Sequence, residues 1–113
     1  MADVFTTTDP LGRVVSCSEK TWYSHVEVGH PIFKGKADFV KQVIENPDVI
    51  YPSGTHANRT VYFGAGIRSE EVTCVIVENN DIAMTGDVVT AINKKGIGGN
   101  IDESRIIHIK SKL

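Results

Sequence analysis

The hydrophobic pattern of the chain changes at Asn46-Pro47-Asp48, and this change constrains the fold more than any other feature. Before it, apolar residues in the segment 36–45 recur at helical spacing, which predicts an amphipathic helix. After it, the segments 48–51, 60–65, 71–78, 87–92 and 104–110 have the pattern of strands, the last at a sheet edge. Helices early and antiparallel strands late predict an α+β domain with segregated layers.

The N-terminal third contains signals for a β-hairpin and a further helix. Two β-branched segments, 4–8 and 13–17, flank the turn sequence Asp9-Pro10-Leu11-Gly12, so we expect a hairpin there. A helix should follow from about residue 19 to residue 29, with Ser16 or Ser18 as its N-cap. Trp22 and Val26 are one turn apart and are the expected core anchors of this helix.

Composition excludes several classes of protein. The 113 residues suit a single domain over 1–113. Twelve basic against 14 acidic side chains give a net charge of −2, which argues against a generic DNA-coating or membrane-surface protein. No apolar run is long enough to cross a membrane, and the N-terminus lacks the basic and apolar regions of a signal peptide. Cys17 and Cys74 match no zinc or CxxC spacing, so we expect buried thiols in a cytoplasmic protein without a cofactor.

Charge is unevenly distributed along the second half of the chain. The segment 67–87 carries one Arg and five acidic residues, whereas 91–113 carries five basic and two acidic residues. One interpretation is a solvated surface with scattered charges. The other is a basic rim that meets phosphates, with Lys94 and Lys95 at the start of the glycine loop 94–100.

The four histidines are the main candidates for chemistry. His25 lies one turn beyond Trp22, where it acts either as a general acid or base or as a structural residue at the helix end. The chain has no metal-ligand spacing, P-loop, Gly-x-Ser-x-Gly elbow or dinucleotide-binding motif. The remaining His, Arg, Tyr and Thr side chains are those of a metal-free ribonuclease, for which RNA supplies its own nucleophile, the 2′-hydroxyl.

Scattered residues between positions 9 and 93 also occur in a familiar order. They are Asp9, Gly12-Arg13, Trp22, His25, His30-Pro31, Asn46-Pro47-Asp48, Ile50, Tyr62, Val75-Ile76-Val77 and Thr90-Ala91. This order resembles the barnase–EndoU–colicin E5/D–RelE-like nuclease superfamily, in particular its compact members from phage and bacterial toxin contexts. The resemblance implies two N-terminal helices packed on an antiparallel sheet of about four strands, preceded here by the short hairpin. It also implies metal-independent RNA cleavage, which many members carry out.

The resemblance assigns roles to particular residues. The helix histidine of the family falls on His25, the basic residue that enters the central strands on Arg59, the strand tyrosine on Tyr62 and the strand hydroxyl on Thr90. We expect His25 to act as general base or acid and Arg59 to hold the scissile phosphate. Tyr62 and Thr90 would donate hydrogen bonds to that phosphate.

Further residues complete the expected site. His30 is the candidate for the second proton-transfer role, and Arg13, Lys94 and Lys95 are the expected RNA-binding residues. The predicted function is a toxin-like endoribonuclease that leaves a 2′,3′-cyclic phosphate and is restrained by an inhibitor or immunity protein.

Two alternatives remain open at this point. The slightly acidic net charge, and Ile92 in place of an aromatic residue after Thr90-Ala91, favour a non-catalytic module that binds RNA or a protein on the same fold. The third hypothesis is a protein-only interaction domain, whose dimer interface would cover Tyr62 and Thr90.

Overall fold

The computed structural model describes residues 2–97 and 101–110, and in these ranges seven strands form one mixed sheet. The strands are β1 (Asp3–Thr8), β2 (Val14–Ser18), β3 (Val49–Pro52), β4 (Arg59–Ala65), β5 (Val72–Asn80), β6 (Thr85–Lys94) and β7 (His108–Ile109). Their order in the sheet is β1-β2-β6-β5-β4-β3-β7. Part of the predicted glycine loop, residues 98–100, lies outside the described residues.

The main helical segments lie between β2 and β3. The first consists of α1 (Glu19–Thr21), a π-helical turn (Trp22–Val26) and α2 (Glu27–Gly29), in direct succession. Ser18 is its N-cap, and the Ser18 Oγ accepts a hydrogen bond from the backbone N–H of Thr21 at 3.1 Å. A 3₁₀ turn (Pro31–Phe33) then leads to α3 (Ala37–Glu45), and another (Glu103–Arg105) precedes β7. No helix within the described ranges is long and apolar enough to cross a membrane.

The predicted fold class is wrong. The prediction was two helices packed on an antiparallel sheet of about four strands. The structure instead has a seven-stranded mixed sheet with short helical segments. The hairpin of β1 and β2 joins the sheet because β2 pairs in parallel with β6, from Val14 opposite Thr85 to Ser16 opposite Asp87. At the far edge β7 pairs with β3. Both pairings join segments distant in sequence, so neither leaves a local periodic signal.

The two faces of the sheet contribute to separate apolar clusters. On the helical side, Tyr62 packs in one cluster with Trp22 and Val26. On the opposite side, Val61, Phe63 and Cys74 form a second cluster, with Ile76, Ile92 and Ile101 at its margin. Successive residues of β4 therefore belong to opposite faces, as the period of two in a strand requires.

A buried carboxylate attaches the hairpin turn to the centre of the sheet. Asp9 is 4% exposed, and its Oδ1 accepts hydrogen bonds from the backbone N–H groups of Leu11 and Arg13, both at 2.9 Å. Its Oδ2 accepts a hydrogen bond from the hydroxyl of the fully buried Tyr62. A buried carboxylate is tolerated only when such donors replace water, so the turn and β4 stabilise each other.

Both cysteines are buried free thiols. Burial raises the pKa of Cys17 to about 12 and the pKa of Cys74 to about 11. Because the thiolate is the reactive form, neither side chain is a nucleophile at neutral pH.

We expect Tyr62→Phe to lower the free energy of unfolding by about 1.5–3 kcal/mol at pH 7, because Asp9 loses a buried donor. Burial, followed by the hydrogen bond to Asp9 and its charge, raises the pKa of Tyr62 in the folded state. The contribution of the hydroxyl is therefore complete below about pH 10 and is lost as the pH rises above it. Urea unfolding at pH 7 and above pH 10 should show a difference from wild type that shrinks with pH. An effect no larger than that of Tyr23→Phe, at an exposed tyrosine, would contradict this role.

Gly86→Ala tests the junction between β2 and β6. A Cβ at Gly86 would lie 2.5 Å from the Cγ1 of Val77 and 3.3 Å from the Cδ of Arg13. We expect a loss of about 1–3 kcal/mol in the free energy of unfolding, measured with urea, from this overpacking. Gly29→Ala is the matched control, because no heavy atom lies within 4 Å of its added Cβ. Equal effects of the two substitutions would show that the junction is looser than described.

Candidate functional site

An open cleft of about 320 Å³ brings together side chains from the first helical segment and from three strands. Thr21 and His25 line it from the helical segment, and Arg59, Glu78 and Asp87 line it from β4, β5 and β6. We call it the His25–Arg59 cleft. It contains an imidazole, a guanidinium and two carboxylates, and it is open to solvent.

Strand register places the three charged residues in one row. Arg59 is directly opposite Glu78, and Glu78 is directly opposite Asp87. Directly opposed residues of antiparallel strands have their side chains on the same face, so all three point to one side of the sheet. The register of β6 shifts just beyond this row, where Val89 is an additional residue between the partners of Val77 and Ile76.

The end of β2 brings His25 to this row. β2 pairs with β6 only as far as Asp87. The chain then enters the first helical segment at Glu19, and this segment packs beside the rest of β6. Trp22 and Val26 are buried, whereas His25 between them is exposed. The indole Nε1 of Trp22 donates a hydrogen bond to Glu27 Oε2 at 2.7 Å, which anchors the segment.

Arg59 and Glu78 form the closest charged pair in the cleft. The Nε of Arg59 lies 3.7 Å from Glu78 Oε1, and the side chains are 27% and 57% exposed. The same Nε is buried and has no hydrogen-bond partner among the described residues. Leaving a buried donor of a charged group without a partner costs free energy, and an anion that accepts a hydrogen bond from this Nε would remove that cost. The cleft as a whole provides three groups that can transfer protons, His25, Glu78 and Asp87, beside the cation of Arg59.

Tyr62 does not belong to this cleft. It is fully buried on the helical side of the sheet, with its hydroxyl committed to Asp9, and burial raises its pKa further above the ordinary value. The expectation that Tyr62 donates to a bound phosphate is therefore corrected. Arg59 and Tyr62 are three residues apart in one strand, and an odd spacing directs side chains to opposite faces.

Thr90 and His30 lie outside the residues that line the cleft. Thr90 is half-buried and directly opposite Ile76, which is itself directly opposite Val61. Val61 is two residues from Arg59 in β4, so Thr90 lies on the same face as Arg59, in the next row. His30 lines a separate depression with Arg68 and Asn93. The structure thus unites two of the five expected catalytic residues, His25 and Arg59.

The three expected RNA-binding residues have different environments. Arg13 donates hydrogen bonds from Nη1 to the backbone O of Thr85 at 3.0 Å and from Nη2 to Asp81 Oδ1 at 2.9 Å, so it joins the start of β2 to the β5–β6 hairpin. The Nζ of Lys94 lies 5.9 Å from the ring centroid of Phe63. Lys95 is exposed.

Sequence reasoning missed Glu78 and Asp87 as site residues. It treated them only as part of an acidic stretch, since nothing local in the sequence shows that they are opposite each other and next to Arg59. Strand register carries that information, and register is set by long-range pairing. In the part of the chain that the structure describes, no group of three or more His, Cys, Asp or Glu side chains is arranged to hold a metal ion.

Comparisons of the chain with protein-family models, with curated proteins and with solved structures find no match in any of the three sets.

Arg13→Ala tests the structural role of a residue that the sequence assigned to RNA. We expect the free energy of unfolding to fall by about 1–3 kcal/mol, because two strand ends lose charged hydrogen bonds. Lys95→Ala is the surface control and should change stability by less than about 0.5 kcal/mol. Urea unfolding measures both, and an unchanged stability of Arg13→Ala would contradict the assignment.

Proposed function

We propose that the chain is a metal-independent endoribonuclease with the His25–Arg59 cleft as its active site. The observation that carries this proposal is that His25, Arg59 and Glu78 line one open cleft. Cleavage of RNA through its 2′-hydroxyl requires a base, an acid and a positive group near phosphorus. The carboxylates, the imidazole and the guanidinium of this cleft provide candidates for all three roles.

The roles follow from the chemistry of each group. Glu78 takes the proton of the 2′-hydroxyl, whose oxygen attacks phosphorus, and His25 in its protonated form gives a proton to the departing 5′-oxygen. Arg59 stabilises the negative charge that develops on the phosphoryl oxygens. The products are a 2′,3′-cyclic phosphate and a 5′-hydroxyl. We assign the base to Glu78 because its carboxylate lies nearest to Arg59.

The proposal includes a family and a cellular setting. The order of residues from Asp9 to Thr90-Ala91 supports membership of the barnase–EndoU–colicin E5/D–RelE-like superfamily, with a larger sheet than the resemblance implied. A nuclease of this type would act on RNA in the cytoplasm, in the manner of a toxin. An inhibitor or immunity protein would then protect the cell that makes it.

A second candidate function is a module that binds RNA or a protein without cleaving. The pair of carboxylates in the cleft, Glu78 and Asp87, favours the form of this module that binds a protein. With a neutral imidazole these two groups outweigh the charge of Arg59, which opposes the approach of a polyanion.

The test is incubation of the protein with a mixed-sequence RNA in excess EDTA, followed by analysis of the product ends. We expect 2′,3′-cyclic phosphate ends, and no cleavage of the corresponding DNA because it lacks the nucleophile. His25→Ala, Glu78→Gln and Arg59→Ala should each lower kcat/KM by about 100-fold or more.

Matched controls come from residues outside the cleft. His108→Ala, Glu103→Gln and Arg105→Ala change the same residue types elsewhere and should keep near wild-type activity. Cleavage that survives His25→Ala would contradict the mechanism. RNA binding without cleavage by the wild-type protein would favour the binding module instead.

A further inference from the structure

A second depression lies on the sheet face opposite the main helical cluster. Its floor consists of Val61, Phe63, Cys74, Ile76 and Ile92, contributed by three adjacent strands. Its volume is about 150 Å³, well below the 300–1,000 Å³ of typical small-molecule pockets. We call it the Phe63 groove. Its size suits one flat ring system and not a whole ligand of drug size.

The rim of the groove is polar and carries no acidic side chain among the described residues that line it. Ser53 Oγ accepts hydrogen bonds from the backbone N–H groups of Thr55 and His56 at 3.2 and 3.1 Å, which holds this turn in shape. Lys94 is also at the rim, near the Phe63 ring. The rim therefore suits a flat ring that carries polar groups, in contrast to the carboxylate-bearing cleft.

Arg59 connects the two depressions because it lines both the His25–Arg59 cleft and the Phe63 groove. A phosphate held at Arg59 would leave the neighbouring nucleoside at the mouth of the groove. We propose that the Phe63 groove binds the nucleobase next to that phosphate, and so selects single-stranded RNA. This inference rests on the proposed function. A base enters such a groove only when it is unpaired and turned out of a helix.

The test uses strands that the protein cannot cleave, so that it measures binding alone. The probes are 2′-O-methyl hexanucleotides of two kinds: homopolymers of each base, and a strand in which every sugar is abasic. Fluorescence anisotropy measures the dissociation constant of each strand. We expect the abasic strand to bind at least about tenfold more weakly than the best homopolymer.

Two variants connect this difference to the groove. Ile92→Asp places a carboxylate in the floor, and His56→Ala shortens an exposed rim residue; Ile109→Asp and His108→Ala are their matched controls. Both groove variants should lose about tenfold in affinity for the base-containing strand and much less for the abasic strand. Circular dichroism verifies folding, and His56→Ala keeps the test decisive if Ile92→Asp does not fold.

The outcomes separate this inference from the proposed function. Equal binding of abasic and base-containing strands, or variant effects that are the same on both, would overturn the groove assignment even if RNA is cleaved. Base-dependent binding that the groove variants weaken would support the groove even if the wild-type protein cleaves nothing. Failure to bind any of the strands would overturn it.

Discussion

The buried carboxylate of Asp9 is the interaction on which the arrangement of the site depends. By accepting hydrogen bonds from its own turn and from Tyr62, it holds the hairpin against the sheet. The hairpin in turn places β2 beside β6, and the chain leaves β2 directly into the first helical segment. The position of His25 opposite the row that begins with Arg59 thus follows from a contact on the other face of the sheet.

Local elements were predictable because they are encoded in short-range periodicity. Val40, Val43 and Ile44 are buried along α3 as their spacing indicates, and Trp22 and Val26 anchor the first helical segment. The pairings of β2 with β6 and of β3 with β7 were not predictable, since each joins segments far apart in the chain. The missing information concerned which strands meet, and this is where the predicted fold failed.

The candidate site shows the same difference between what local sequence indicates and what long-range strand pairing determines. The family resemblance assigned roles to His25 and Arg59, which do share a cleft, whereas it assigned Tyr62 to the same phosphate despite its odd spacing from Arg59. Alternation along β4 alone would have excluded it. Glu78 required the register between β4 and β5, which no single-sequence pattern gives.

The π-helical turn Trp22–Val26 has a consequence for how this chain tolerates change. Its backbone closes from the N–H of Glu27 to the carbonyl of Trp22, so the turn holds one more residue than an α-helical turn. Deleting a single residue there would restore ordinary winding and rotate the imidazole of His25 relative to the indole that anchors the segment. A change of chain length at this point would therefore move His25, whereas a substitution at the exposed Ser24 would leave the winding of the turn unchanged.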